Sequence, residues 1–275
     1  MMTLIQQLAA FELKTISFDG VQQSYREAGQ GQHLVLLHGI SSGSGSWVKQ
    51  LQALSHHFHV VAWDAPGYGQ SDHLSTVQPN AEDYAKRLKA MLDSLGIQKA
   101  ILVGHSLGAM QAAAFNALYP ESVQALVLAN VAQGYKGVDS QKQRDVFEKR
   151  PKMLQELGAV GMAQSRGPYL VAHATADVLQ LIENIMQNIS LKGFTGASYL
   201  LAYDAIQSYL SPKQPNAYVI KGMSDGITPP QDMQQLVDQF QLNQSYEIED
   251  AGHLSYLDQA EQFNQILLSL HDTGM

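Results

Sequence analysis

Three side chains in this 275-residue chain have the types and positions needed to break an acyl bond. The first is Ser106, in Gly104-His105-Ser106-Leu107-Gly108. An apolar run precedes it and an alanine-rich run follows, so the serine falls on a strand-to-helix turn. A turn that sharp crowds its neighbours, and glycine on both sides removes the side chains that would clash. A serine so placed sits at a helix N-terminus, where free N–H groups and the helix dipole favour developing negative charge. A serine hydroxyl needs a base to take its proton. His253, in Ile248-Glu-Asp-Ala-Gly-His253, follows the last strand-like run and precedes the last helical one. The base in turn needs a carboxylate to orient it and to stabilise the imidazolium. Asp225 lies in the loop after Tyr218-Val-Ile. Asn130, at the end of the preceding strand, is the rival position, but a neutral amide cannot stabilise an imidazolium.

The charge that forms on the attacked carbonyl oxygen needs two N–H donors. The Leu107 N–H, directly after the serine, is one. The glycine- and serine-rich loop Leu36-Leu-His-Gly-Ile-Ser-Ser-Gly-Ser-Gly-Ser-Trp47 offers the other, assigned to the Ile40 N–H. This loop carries no Gly-Lys-Ser/Thr, which excludes a phosphate-binding P-loop. Substrate contacts are assigned to Arg166, a partner for a substrate carboxylate, and to Tyr169 and Asn130. Trp47 and Trp63 read as packing residues rather than substrate platforms.

Alternating short apolar runs and helical patterns position these residues. Leu13–Phe18 and Gln22–Glu27 flank Asp19-Gly20, a hairpin signal. Leu34–Leu37, Val60–Trp63, Ala100–Val103, Ala125–Ala129, Tyr218–Ile220 and Ser245–Ile248 read as strands. Trp47–Leu54, Ala81–Leu95, Leu107–Leu118, Gln231–Phe240 and Leu254–Leu270 read as helices. This order predicts a mostly parallel sheet covered on both faces. From Ala132 to Pro212 no strand pattern is visible, and two apolar stripes recur at helical spacing, which suggests an all-helical lid. The predicted organisation is a core of residues 1–131 and 213–275 with a cap over 132–212.

Composition narrows the function classes. The net charge of −8, without a lysine or arginine cluster, argues against nucleic acid. Lys142–Lys152 is mixed in sign and reads as a solvated helix face. The chain has no cysteine, which excludes disulfides and thiolate metal sites. His56, His57 and His59 read as surface and capping residues rather than metal ligands. No apolar run is long enough to span a bilayer, and Met1–Leu13 lacks the pattern of a secretory signal. The expectation is a cytoplasmic protein with a small-molecule substrate and no metal or cofactor.

On these motifs the chain resembles the α/β-hydrolase superfamily. The resemblance rests on His38-Gly39, Asp64-Ala-Pro-Gly-Tyr-Gly-Gln-Ser71, the Ser106 turn, Asp225 and Gly252-His253, and on the order Ser…Asp…His. It implies an eight-stranded, mostly parallel core with a helical cap inserted after the sixth strand. Superfamily members that open epoxides or remove halides use an aspartate where this chain has Ser106. Hydrolases of carbon–carbon bonds in ring-fission products typically carry tryptophan after the histidine and a glycine-rich oxyanion loop; here Leu254 and Ile40-Ser41-Ser42 stand instead. Gly252–Phe263 is similar to the corresponding segment of 3-oxoadipate enol-lactonases. The resemblance therefore implies a serine hydrolase of small esters or enol-lactones. The alternatives are a carbon–carbon bond hydrolase and a small-molecule receptor built on the same scaffold.

Overall fold

The computed structural model describes residues 2–242 and 244–271. Eight strands form one sheet: β1 (Lys14–Phe18), β2 (Val21–Ala28), β3 (Gln32–Leu37), β4 (Phe58–Trp63), β5 (Ala100–His105), β6 (Val123–Ala129), β7 (Ala217–Gly222) and β8 (Gln244–Ile248). Their order is β1-β2-β4-β3-β5-β6-β7-β8. β2 is antiparallel to both β1 and β4, and every pairing from β4 to β8 is parallel. The β1–β2 turn is Asp19-Gly20, both at positive φ (50° and 75°), as a two-residue hairpin turn demands. The central strands β3, β5 and β6 are apolar almost throughout because helices cover both faces.

The helices are α1 (Leu4–Leu8), α2 (Val48–Leu54), α3 (Ala81–Ser94), α4 (Leu107–Leu118), α5 (Ser140–Arg166), α6 (Ala176–Met186), α7 (Leu191–Tyr203), α8 (Pro230–Phe240), α9 (Ser255–Asp258) and α10 (Ala260–Ser269). Among the described residues, no helix is long and apolar enough to cross a membrane. Trp47 and Trp63 are fully buried, as packing residues should be. The stretch predicted as one helix over Leu254–Leu270 is two, separated at Gln259 (φ −121°, ψ 56°). The Asp258 carboxylate accepts from the Gly252 and Ala172 N–H groups, which ties the first short helix to the loop before it.

Between β6 and β7 the chain runs through α5, α6 and α7. An isolated bridge between Tyr68 and Ile189 joins this helical insertion to the core, and another, Gly134 with Ala205, ties the start of the insertion to its end. α5 is not one rod. Gly158 adopts φ 67°, ψ 175°, and divides it into two arms. The loops after β3, β5, β6, β7 and β8 all leave from the C-terminal edge of the parallel strands, where open α/β sheets bind ligands. Ile40, Ser106, Asn130, Asp225 and His253 stand on those five loops in that order.

Candidate active site

Ser106 links β5 to α4 with φ 54° and ψ −116°, a region that L-residues rarely occupy and that costs about 1–3 kcal/mol. The surrounding structure imposes it. A Cβ on Gly104 would lie 2.3 Å from the Gly108 carbonyl oxygen, and one on Gly108 would lie 2.4 Å from the Leu37 oxygen. Both glycines are thus needed for α4 to start so close to β3 and β5. The Ser106 N–H donates to the Ala129 carbonyl at 2.9 Å, which pins the turn to β6. The Leu107 N–H, at the first position of α4, has no acceptor within the helix and is available to a ligand.

His253 Nδ1 lies 2.9 Å from Asp225 Oδ2. Asp225 also accepts from the Ile227 N–H (2.7 Å), the Thr228 N–H (3.0 Å), the Thr228 hydroxyl (2.6 Å) and Asn130 Nδ2 (2.8 Å). Burial alone would raise its pKa. The hydrogen bond and charge of His253, with the donors from Thr228 and Asn130, outweigh burial and hold the carboxyl well below the usual range. Asp225 is therefore a carboxylate at neutral pH. A carboxylate only accepts, so Nδ1 carries a proton, and in the neutral imidazole the lone pair stands on Nε2. Ser106 and His253 both line one cavity of about 480 Å³.

The loop after β3 passes over the serine. A Cβ on Gly39 would stand 3.0 Å from Ser106 Cβ. Buried groups hold the loop: the Ser44 N–H donates to Asp64 Oδ1 (2.7 Å), and the Tyr68 hydroxyl donates to the Ile40 carbonyl (2.7 Å). Ile40 and Leu107 both line the cavity, and so does Arg166.

Two expected substrate contacts lie elsewhere. Tyr169 is 71% exposed and is not part of the cavity wall. Asn130 is fully buried, with its amide donating to Asp225 and to the Gly252 carbonyl (3.2 Å) and accepting from the Ser255 hydroxyl (2.5 Å). It supports the acid instead of touching a ligand. The left-handed φ of 46° at Asn130 turns the chain off β6 toward these partners.

Residues the sequence did not single out complete the support. His105 is buried beneath His253, and its Nε2 lies 2.7 Å from the His253 carbonyl oxygen, so Nε2 carries the proton. Burial, then the neighbouring His253, push its pKa down to about 3, and the ring is neutral. The His253 loop also meets the insertion. The Leu254 N–H donates to the Leu170 carbonyl (2.7 Å), and Asp258 Oδ2 receives the N–H groups of Gly252 and Ala172 at 2.8 Å each. Lys149 and Arg150, read as part of a solvated face, line the cavity wall. The available signal was register: Val146, Arg150 and Met153 recur at spacings of four and three and so share one face of α5.

The family model described as the alpha/beta hydrolase fold matches residues 32–260. The 2-hydroxy-6-oxononadienedioate/2-hydroxy-6-oxononatrienedioate hydrolase of Paraburkholderia phymatum is 38% identical over 115 residues, and that match spans 40% of each chain. The (E)-2-((N-methylformamido)methylene)succinate hydrolase of Acinetobacter baylyi is 23% identical over 255 residues, 90% of this chain and 94% of that protein. Among solved structures, the enol-lactonase of Burkholderia xenovorans superposes with a TM-score of 0.78 at 21% identity, over 94% of this chain and 99% of the other. That likeness extends to the fold.

Proposed function

The chain belongs to the alpha/beta hydrolase fold family, and from that premise we propose that it is a serine hydrolase of small carboxylic esters or lactones, working through an acyl-enzyme. The observation that carries this reading is the strained Ser106 turn opening into the same cavity as a histidine already paired with a buried carboxylate. Ser106 Oγ attacks the carbonyl carbon while His253 Nε2 takes its proton. The N–H groups of Ile40 and Leu107 hold the oxyanion. The tetrahedral carbon then expels the alkoxide or enolate, which takes the proton from His253. Water, deprotonated by the same nitrogen, attacks the acyl-enzyme and releases the acid and free Ser106. Asp225 stays ionised throughout and stabilises the imidazolium. The helical insertion, residues 132–212, acts as the lid that shapes the acyl pocket.

A second reading keeps the same machinery and hydrolyses a carbon–carbon bond in a diketone ring-fission product. The match to the 2-hydroxy-6-oxononadienedioate hydrolase favours it.

The test is hydrolysis of p-nitrophenyl esters from acetate to octanoate, and of small lactones, with Ser106→Ala as control. Turnover that falls by several orders of magnitude in a folded Ser106→Ala supports the reading. Equal turnover in the variant refutes it. Turnover of a ring-fission product, with esters untouched, moves the assignment to the second reading.

A further inference from the structure

The chain carries a net charge of −8, yet its cavity wall is cationic. Lys149, Arg150 and Arg166 line it against one carboxylate, Asp232. The two arginines are half-buried. Among the described residues, neither has an acidic partner within ion-pair distance. Burial, and then the charge of Arg166, push the Arg150 guanidinium down from its usual pKa, with Tyr135 and Tyr68 acting in the opposite sense. Two like charges thus line one cavity, partly out of water, an arrangement that an anion between them relieves.

The backbone is shaped to bring them together. Both arginines lie on α5, sixteen positions apart, which in an unbroken helix would separate them by about 24 Å. The break at Gly158 lets both arms of α5 face one cavity, with Met153 and Met162 accompanying Arg150 and Arg166. A Cβ at Gly158 would meet nothing within 4 Å. Glycine is required there by its dihedral angles, which are essentially closed to other residues, and not by close packing.

We propose that Arg150 and Arg166 form a carboxylate clamp facing Ser106, and that the substrate's acyl part ends in a carboxylate, as in a monoester of a short dicarboxylic acid. Guanidinium forks match carboxylate oxygens two by two, which neither Lys149 nor a single arginine would do as well. The position of the scissile bond rests on the ester reading above; the binding of the anion does not.

The probes are mono-p-nitrophenyl glutarate and p-nitrophenyl valerate, which share a five-carbon acyl chain and differ in the terminal charge. The readout is the ratio of their kcat/KM values. A charge-assisted pair at this site corresponds to a preference of about ten- to a hundredfold for the glutarate ester. Arg166→Gln should bring the ratio toward one, chiefly through KM, and Arg166→Lys should restore part of it. Gly158→Ala, which touches no cavity atom, should lower the ratio by misaligning the arms. In parallel, calorimetry with Ser106→Ala should show saturable binding of glutarate, lost when Arg166→Gln is added, and weaker binding of valeramide, which has no carboxylate. No preference for the anionic ester in the wild type, or a preference that Arg166→Gln leaves intact, overturns the clamp. If neither ester turns over but glutarate binding still depends on Arg166, the clamp stands and the ester reading falls. Absence of Arg166-dependent binding overturns the clamp by itself.

Discussion

Replacing Gly104 by alanine tests whether the Ser106 turn is held by close backbone packing. The new Cβ would stand 2.3 Å from the Gly108 oxygen, 2.6 Å from the Gly108 carbonyl carbon and 2.7 Å from Ala109 Cα. Ordinary contact begins near 3.4 Å, so β5 and α4 must separate by about 1 Å. The obstacle is backbone, which cannot rotate away as a side chain would. α4 has little freedom to withdraw, since its residues from Leu107 to Asn116 are all buried. The displacement therefore falls on Ser106 and on the Leu107 N–H. Overpacking of this kind costs about 1–3 kcal/mol, which lowers Tm by about 2–4 °C per kcal/mol in a chain of this size. A misplacement near 1 Å costs about a hundredfold in rate. The assay is kcat/KM on the best p-nitrophenyl ester, with a melting curve to show that the variant is folded. Gly226→Ala is the control. It adjoins Asp225, its φ is not positive, and its Cβ would meet nothing within 4 Å. Its activity should stay within about twofold of wild type. A Gly104→Ala enzyme with wild-type kcat/KM and Tm would refute the packing account, and so would a Gly226→Ala enzyme damaged as badly as Gly104→Ala.

Asp225→Asn should lower kcat/KM on the order of 10³–10⁴-fold, because the amide neither fixes the His253 tautomer nor stabilises the imidazolium; ester turnover within tenfold of wild type would remove Asp225 from the mechanism. Stability should depend on pH through buried groups, and two of them stand at the site. His105 titrates near 3 when folded against about 6.5 when unfolded, so between those values the unfolded chain takes up a proton that the folded chain refuses. Stability then falls as pH falls through that window, and His105→Gln should flatten the dependence of Tm on pH between about 6.5 and 4. Asp225 has its folded pKa depressed; its contribution is full above about pH 4 and fades as the medium becomes more acid. Identical Tm profiles for wild type and His105→Gln would refute the assignment of the upper window.

The strands were legible because strands buried on both faces are written as continuous apolar runs, as in Leu34–Leu37 and Ile101–Val103. The Ser106 turn was legible for a different reason. Its geometry forbids side chains at Gly104 and Gly108, so a local steric demand left a local mark. Asn130 was misread because its role lies in partners far along the chain. Asp225, Gly252 and Ser255 are 95, 122 and 125 residues away, and nothing near Asn130 announces them. Arg150 sits in a stretch of mixed charge, and which side of that helix faces the cavity depends on how the insertion docks. The break at Gln259 was hidden because Asp258 looks like an ordinary helical residue until its carboxylate is seen accepting from Gly252 and Ala172.

The joint between the His253 loop and Leu170–Ala172 bears on any attempt to transplant specificity by exchanging the region between β6 and β7. Such a graft changes more than the wall of the pocket. It removes the carbonyl that receives the Leu254 N–H and two of the three N–H groups that Asp258 accepts, those of Ala172 and His173, on either side of His253. Gly252 adds a steric condition, since a Cβ there would lie 2.7 Å from the Ala172 nitrogen, so the incoming segment must also approach that closely. A chimaera that retains Leu170–Ala172 inherits a seated histidine and differs from its parent in substrate preference. One that replaces those residues carries a loosened His253 into every reaction it is offered, and on the proposed mechanism its loss of rate would be charged wrongly to a poor fit of the substrate.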